Sequence, residues 1–503
     1  MKKSMKAAIC TACITLMASV FAGCSKGEGK LSSSKKYEQV TYAYCVFTNV
    51  PAEKDLDVVE EQINKITRER IGVEVTLLPI SIAEYNNKVS LALQGGEKID
   101  IFQSLGNFGT CVSSEMTYDI TDLLEKYGKE TKELQGEQWL NSCSSNGRIY
   151  GIPTYKPVAL TPMLIYRKDI AQEMGLDMTK VNSLDDVTDV LAKVKKAYPT
   201  MIPLSPTQSG TIGTELTMPK IDYLNDDFYS PVGVIIGDSF KVQDLYSTKE
   251  FKKICDFAYS LQKNNLIMKD AATTTSMAAD TMSSGNYFAY IASYSYPEED
   301  TAASLQPQFS QYPIGAKIIG DAYLSTTDLN AVSWMIASTT KVPEAAMKFL
   351  NLTFTDKDVI NSLIYGVECR DYVLDNGFVS YPEGQTAFTV PYSAQLSCGT
   401  LGNFFMMYPT AGTDPASLEW ELEQNKVAPT SPAMGFTFDS SKLKTQYTAV
   451  KNVIAQYLPG LICGSLNPDT EITKFINALN DAGYKEILAE KQKQLDAWVV
   501  ENK

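Results

Sequence analysis

Val40-Thr41-Tyr42-Ala43-Tyr44-Cys45-Val46-Phe47 is a β-branched and aromatic run, and the alternation of helix and strand patterns after it decides the fold. Asp55 to Arg70 repeats apolar residues at Leu56, Val59, Ile63 and Ile66, the spacing of one helix face, and Gly72 closes it. Val73 to Leu78 is a second strand. Ala83 to Gln94 is a second helix, stopped by Gly95-Gly96, and Ile99 to Phe102 is a third strand. This β-α-β-α-β rhythm predicts a parallel sheet covered by helices on both faces. The pattern then begins again. Ser183 caps a helix carrying Leu184, Val187, Leu191, Val194 and Tyr198 on one face, ended by Pro199. Phe251, Ile254, Ala258 and Leu261 mark another helix, and Tyr287 to Ala292 another strand. Two α/β lobes are the expectation. The C-terminal third is mostly helical, with stripes at Ile472, Phe475, Ile476, Leu479 and at Ile487, Lys491, Leu495, Trp498, and no tandem repeat is visible.

The N-terminus sets the compartment. Lys2, Lys3 and Lys6 precede the uncharged apolar run Ala7 to Ala22, which ends at Ala22-Gly23 before Cys24. That order is a secretory signal, too short for a membrane span, and the cysteine at the cut site marks Cys24 as the residue to be acylated. Phe21 stands where such signals carry Leu. Ser25 to Lys36 is rich in Ser, Gly and Lys and reads as a flexible tether. The whole chain carries a formal charge of −14, and losing three lysines with the signal makes it more acidic still. With no basic block, the chain repels phosphate backbones, so nucleic acid is excluded as a partner.

There are ten cysteines. Cys10 and Cys13 leave with the signal. Beyond Cys24 the spacing of Cys45, Cys111, Cys143, Cys255, Cys369, Cys398 and Cys463 fits neither a disulfide framework nor a zinc site, so they read as small buried hydrophobes. The chain has no histidine, which excludes Ser-His-Asp and Cys-His catalysis and His-ligated metals. It also lacks a phosphate-binding glycine loop and a G-x-S-x-G elbow. Asp222, Asp226 and Asp227 cluster near Asn225 without the spacing of a calcium loop, and read as a solvated loop. No catalytic residue, cofactor or metal is assigned.

Three further stretches occur in order along the chain. The first is Gly147-Arg148-Ile149-Tyr150-Gly151-Ile152-Pro153 with Tyr166-Arg167-Lys168-Asp169 and Gly175-Leu176-Asp177. The second is Ser338 to Leu350, with Lys341, Pro343-Glu344-Ala345-Ala346 and Phe349-Leu350. The third comprises Gly402-Asn403-Phe404-Phe405, Met434 to Asp439 and Glu490 to Trp498. Together they resemble the extracellular solute-binding proteins of ABC importers, in a Gram-positive lipoprotein branch with its own C-terminal extension. Cys369 departs from the pattern, which has Gly there. The resemblance implies an α/β, two-lobe periplasmic-binding-protein-like fold of type II, with a multi-strand hinge and a helical C-terminal extension. The organisation expected is a signal peptide over 1–23, a tether over 24–36, lobe 1 over 37–154 and 330–375, lobe 2 over 155–329, and a C-terminal segment over 376–503 packing mainly on lobe 2.

Ligands of open parallel sheets sit beyond the C-terminal ends of strands. That rule selects Thr48, Gln103 and Ser104 in the first lobe and Tyr294 and Tyr296 in the second. Tyr155, Trp334, Phe404, Phe405 and Tyr408 lie near the crossings that the resemblance implies; their rings either stack on sugar C–H faces or pack in the core. The implied function is capture of a small polar ligand, foremost an oligosaccharide, by a monomeric, lipid-anchored protein that serves the membrane subunits of an importer. A peptide or amino-sugar ligand, or a surface glycoside hydrolase using paired carboxylates, stays open at this point.

Overall fold

The structure is a computed structural model describing residues 36–47, 49–208, 210–226 and 230–502. The signal, Cys24, nearly all of the tether, Thr48 and Asp227 lie outside the described residues.

Two sheets carry the architecture. In chain order their strands are β1 (Glu38–Val46), β2 (Val73–Ser81), β3 (Ile101–Gln103), β4 (Ile152–Pro153), β5 (Thr161–Arg167), β6 (Ile202–Leu204), β7 (Tyr287–Tyr294), β8 (Ile314–Ile318) and β9 (Ser333–Ile336). The first sheet has the order β2-β1-β3-β9-β4, the second β8-β5-β7-β6. β1 pairs in parallel with both β2 and β3, as the alternating pattern predicts. The rest departs from a parallel sheet. β9 runs antiparallel to β3 and β4. In the second sheet only β6 and β7 are parallel, while β5 is antiparallel to both β7 and β8. The cause is direction of entry: a strand arriving from the other lobe enters at the edge where neighbouring strands end, and so must run against them.

The helices follow the apolar stripes. α1 (Glu53–Arg70) buries Val59 and Ile63, and α2 (Tyr85–Gly95) ends on Gly96 in the left-handed conformation, φ +73°. α3 (Leu184–Ala197) starts at Ser183, whose hydroxyl accepts from the Asp186 N–H, and buries Leu184, Val187, Leu191 and Val194. α4 (Lys249–Lys263) buries Phe251, Ile254, Ala258 and Leu261. α5 (Pro343–Thr355), inside the second quoted motif, buries Ala345, Ala346, Phe349 and Leu350 against the first sheet.

After the first sheet closes, the chain is divided between the two cores. Tyr372, Val379, Tyr392, Ala394 and Leu401 join the first core with Tyr42 and Trp334. Beyond α6 (Pro415–Val427), Ala433, Phe436 and Phe438 join the second core, together with α7 (Lys444–Ile462), α8 (Pro468–Asp481) and α9 (Tyr484–Asn502). An ion pair fastens α9 there: Lys491 Nζ lies 2.6 Å from Asp226 Oδ2, and both side chains are buried. The acidic loop expected to be solvated is therefore structural. Asp222 is fully buried, and Asp226 also accepts from the Val232 N–H at 2.7 Å. A charge at 226 is tolerated because a cation and an N–H meet it.

The seven described cysteines are unpaired, five of them buried. Cys369 adopts φ +65°, the left-handed conformation that Gly takes without strain, which accounts for the glycine that the resemblance expects there.

Candidate functional site

The lobes are joined where the chain crosses between β4 and β5, between β8 and β9, and between Leu401 and Ala433. Backbone groups of these crossings find partners in one another. Tyr155 N–H donates to Gly402 O at 2.9 Å, and Phe404 N–H donates to Tyr155 O at 2.8 Å. Leu324 N–H donates to Pro429 O at 2.9 Å, and Ser431 N–H to Leu324 O at 2.7 Å. The Asn425 side chain on α6 completes the set. Its Oδ1 accepts from Val158 and Ala159 N–H at 2.9 and 3.2 Å, while its Nδ2 donates to Lys156 O at 2.8 Å. Trp139, Val158, Ala159, Leu324 and Leu329 form a small apolar cluster over the crossings.

Half-buried aromatic rings gather here. Tyr155 lies 5.0 Å from Trp139 and 5.4 Å from Phe405, and Phe405 meets Phe404 edge-on at 5.6 Å. The loop that presents them is fixed by Asn403, whose Oδ1 accepts from Phe405 N–H and whose Nδ2 donates to Phe354 O. Gly402 is required beside it: at φ +147° a Cβ would come within 2.4 Å of Thr353 O. From the second lobe, Tyr294 ends β7 and Tyr296 lies two residues beyond it; both are half-buried, and the Tyr294 and Tyr290 hydroxyls are 2.8 Å apart. Burial raises the Tyr296 phenol, with the Glu421 carboxyl and the Cys398 thiol as neighbours, so residues of the second lobe, of α6 and of the first lobe's 395–400 turn converge.

Two ionisable groups at the crossings are desolvated. Burial pushes the Lys156 ammonium below its ordinary range, against the pull of Asp328 and the thiols of Cys398 and Cys45. Among the described residues no side chain pairs with its Nζ. Glu421 is 2% exposed; its Oε1 accepts from the Ser295 hydroxyl, and its Oε2 has no partner among the described residues. Burial raises its carboxyl from the ordinary 4.5 to about 7, with the Ser295 hydrogen bond opposing.

Other expected contacts lie elsewhere. Trp334 is fully buried, stacked on Tyr42 at 4.2 Å and 18° in the first core; on β9 its side chain faces α5, away from any cleft. Gln103 spends its amide within the lobe, accepting from Cys45 N–H at 2.8 Å and donating to Thr400 O at 2.6 Å. Ser104 is also consumed, its hydroxyl accepting from Ser333 N–H at 3.1 Å. Tyr408 packs on the far side of the first core, under the Lys357 ammonium at 4.4 Å, and its carbonyl accepts from the Tyr365 hydroxyl. These four are structural.

A region absent from the sequence expectations is a polar groove of about 750 Å³ between the first lobe and the C-terminal segment. Asn141 and Asn146 line one wall, and Thr437, Gln494 and Trp498 the other. The motif Met434 to Asp439 was the available signal. Amides and hydroxyls that both donate and accept, beside aromatic surface, suit a hydroxyl-rich ligand. Among the described residues no cluster of His, Cys, Asp and Glu could hold a metal ion.

These placements set two expected outcomes. Trp334→Ala should cost about 3–5 kcal/mol of stability and leave ligand affinity unchanged, whereas Phe405→Ala should weaken affinity with a smaller stability loss. Calorimetry and a melting curve on each variant check this, and lost affinity in a stably folded Trp334→Ala would overturn the core placement. For Glu421, a carboxyl raised in the folded state takes up a proton on folding. Its contribution is therefore fully present below pH 4.5 and lost as the pH rises through about 7. The wild-type melting temperature should fall relative to that of Glu421→Gln across this window, and parallel curves would contradict the burial assigned to Glu421.

The sequence profile of the bacterial extracellular solute-binding protein family matches residues 61–363, and that of a domain of unknown function matches residues 432–500. Over its whole length the chain is 24% identical to a carbohydrate ABC transporter substrate-binding protein of Streptococcus pneumoniae, 100% of which is covered. Among solved structures, the N-glycan transport solute binding protein of Streptococcus pneumoniae superposes with a TM-score of 0.79 at 23% identity, covering 93% of this chain and 100% of that one. A human-milk-oligosaccharide-binding solute binding protein from Bifidobacterium longum infantis gives 0.64 at 16% identity, covering 92% and 99%. With its two sheets joined by three crossings, the chain belongs to the bacterial extracellular solute-binding protein family.

Proposed function

We propose that this protein is the lipid-anchored capture component of an ABC importer, and that it holds an oligosaccharide between its lobes. The observation that carries the ligand class is the ring cluster of buried Trp139 with half-buried Tyr155 and Phe405, set at the crossings beside Tyr296 and unpaired polar groups. Aromatic faces stack on the apolar faces of sugar rings, and the remaining polar groups meet hydroxyls. The relatives named above for carbohydrate, N-glycan and milk-oligosaccharide binding support the same class. They are substrate-binding proteins, which supports a non-catalytic role. Within the proposed site, Tyr155, Phe404, Phe405, Tyr294 and Tyr296 are the contacts retained from the sequence.

Binding by hinge closure is part of the proposal. The pneumococcal neighbour superposes at 0.79 in one structure and at 0.71 and 0.70 in its complexes with Man1GlcNAc and Man5GlcNAc. The lower scores of the two glycan complexes support an arrangement of lobes that changes when a ligand binds. Closure is driven only by the ligand's differential affinity for the two forms.

A thermal-shift screen across neutral and acidic oligosaccharides and peptides tests the ligand class. At one hundred times its Kd the cognate ligand adds about 2.7 kcal/mol of stability. Small-angle scattering with that ligand should show a smaller radius of gyration, and an unchanged curve at saturation would count against closure. A peptide hit with no sugar hit would replace the oligosaccharide, and turnover of a chromogenic glycoside would replace the transport role. Anchoring is tested separately. Cys24→Ser should release the protein from membranes into the medium; a variant retained after high-salt washing would remove the lipid anchor from the proposal.

A further inference from the structure

A second enclosed space lies inside the second lobe, apart from the crossings. It has a volume of about 280 Å³ and is walled by the Gln208 to Tyr223 stretch and α4 on one side and by Leu458, Pro459 and Ile462 of α7 on the other. Met218, Tyr223, Tyr246, Phe251 and Leu458 make most of the surface apolar and aromatic. The rings are held in place before any ligand arrives. Tyr246 donates its hydroxyl to Pro231 O at 2.8 Å and meets Phe251 edge-on at 5.1 Å.

One carboxylate belongs to this wall. Glu215 is 8% exposed, and its Oε1 accepts from the Thr211 hydroxyl. Thr211 is itself fixed, since its hydroxyl accepts from Gly213 N–H at 2.9 Å. Glu215 Oε2 has no hydrogen-bond partner among the described residues. The Glu215 side chain lines the cavity, and burial, opposed by the Thr211 hydrogen bond, raises its carboxyl above the ordinary range, so its negative charge is disfavoured there until a cation compensates it.

The chemistry of the wall selects the occupant. An anion would find no cationic side chain in this wall. A sugar needs many hydrogen-bond partners, and the cavity offers few beyond Glu215 and Gln208. A hard metal ion needs several oxygen ligands, which the apolar lining does not supply. An organic ammonium satisfies both parts: its charge meets Glu215, and its apolar body and N–H or N–CH₃ groups meet the rings of Tyr223, Tyr246 and Phe251. The volume is at the small end for ligand pockets, so the occupant is smaller than a drug-sized molecule.

We propose that the cavity between α4 and α7 is a binding site for a small organic ammonium, with Glu215 as its counter-ion and Tyr223, Tyr246 and Phe251 as its aromatic walls. A bound ammonium would bridge the second lobe and the C-terminal helices, and so stabilise their contact. The site does not depend on the oligosaccharide proposal, because none of its residues lies at the crossings.

Benzylammonium and tetramethylammonium are the probes, titrated by calorimetry into the full mature chain, with benzyl alcohol as the uncharged comparison. At least one ammonium should bind saturably and raise the melting temperature, while benzyl alcohol binds at least about tenfold more weakly, the loss expected when a charged partner goes unmet. Glu215→Gln should lose affinity to a similar extent while melting cooperatively. Met218→Trp, which fills the cavity and keeps the Glu215 carboxyl, should abolish ammonium binding, and it decides the matter if Glu215→Gln does not fold. Absence of saturable binding by either ammonium at millimolar concentration would overturn the proposal. So would unchanged affinity in Met218→Trp, which would place the ammonium elsewhere.

Discussion

One side-chain amide holds the crossings in register. Asn425 accepts two N–H groups and donates to one carbonyl of the stretch from Lys156 to Ala159. That stretch leaves one sheet and has not yet joined the other, so its backbone has no strand neighbour along its length. Unmet backbone groups near an apolar cluster such as Trp139, Val158 and Leu329 are costly, and each needs a partner. The tie comes from α6, which itself belongs to the crossing region, so crossings are fastened chiefly to one another. Tyr155 with Gly402 and Phe404, and Leu324 with Pro429 and Ser431, repeat the pattern. A hinge built in this way can turn as a unit while the cores on either side stay packed.

The lobes were legible in the sequence where a local pattern decides the structure. The stripes of α1, α3 and α4, the Ser183 cap and the Gly72 and Gly96 stops depend on a few consecutive residues, and each forms as the spacing predicts. Strand direction is different. β9 pairs Trp334 with Gln103 across more than two hundred residues, and β5 lies between two antiparallel neighbours. Neither direction is encoded in the alternation of the strand itself; both depend on which edge the chain enters after a crossing. The buried state of Asp222 and Asp226 was hidden for the same reason, since Lys491, the partner of Asp226, is supplied by the last helix.

The candidate site was legible only to the level of position. The strand-end rule selected Tyr294 and Tyr296 in the second lobe, and in the first it took the last residue of β3, whose amide the lobe itself uses, for a ligand contact. Gln103 has the chemistry of a sugar contact and uses all of it on Cys45 and Thr400. Trp334 has the chemistry of a stacking platform and uses it on Tyr42. Residue type cannot separate these uses, because the same donor, acceptor or ring serves a core and a ligand equally well. What separates them is whether a protein partner already occupies the group. Glu421 and Lys156 do not stand out in the sequence because single charged residues are common, and their significance lies wholly in being desolvated.

That desolvation has a consequence for how an empty cleft behaves. Holding half-buried Lys156 and buried Glu421 without an ion pair to either costs free energy that the lobes' packing must offset. The cost is borne by the ligand-free state. A polar group arriving between the lobes that hydrogen-bonds either one recovers part of it, and recovers more as water is excluded and the local dielectric falls. The recovered energy appears only when ligand and both lobes are in place, which is the differential term a closing hinge requires. In the proposed function the aromatic residues supply contact area to the ligand, and the two desolvated groups bias the hinge toward closure when a ligand meets them.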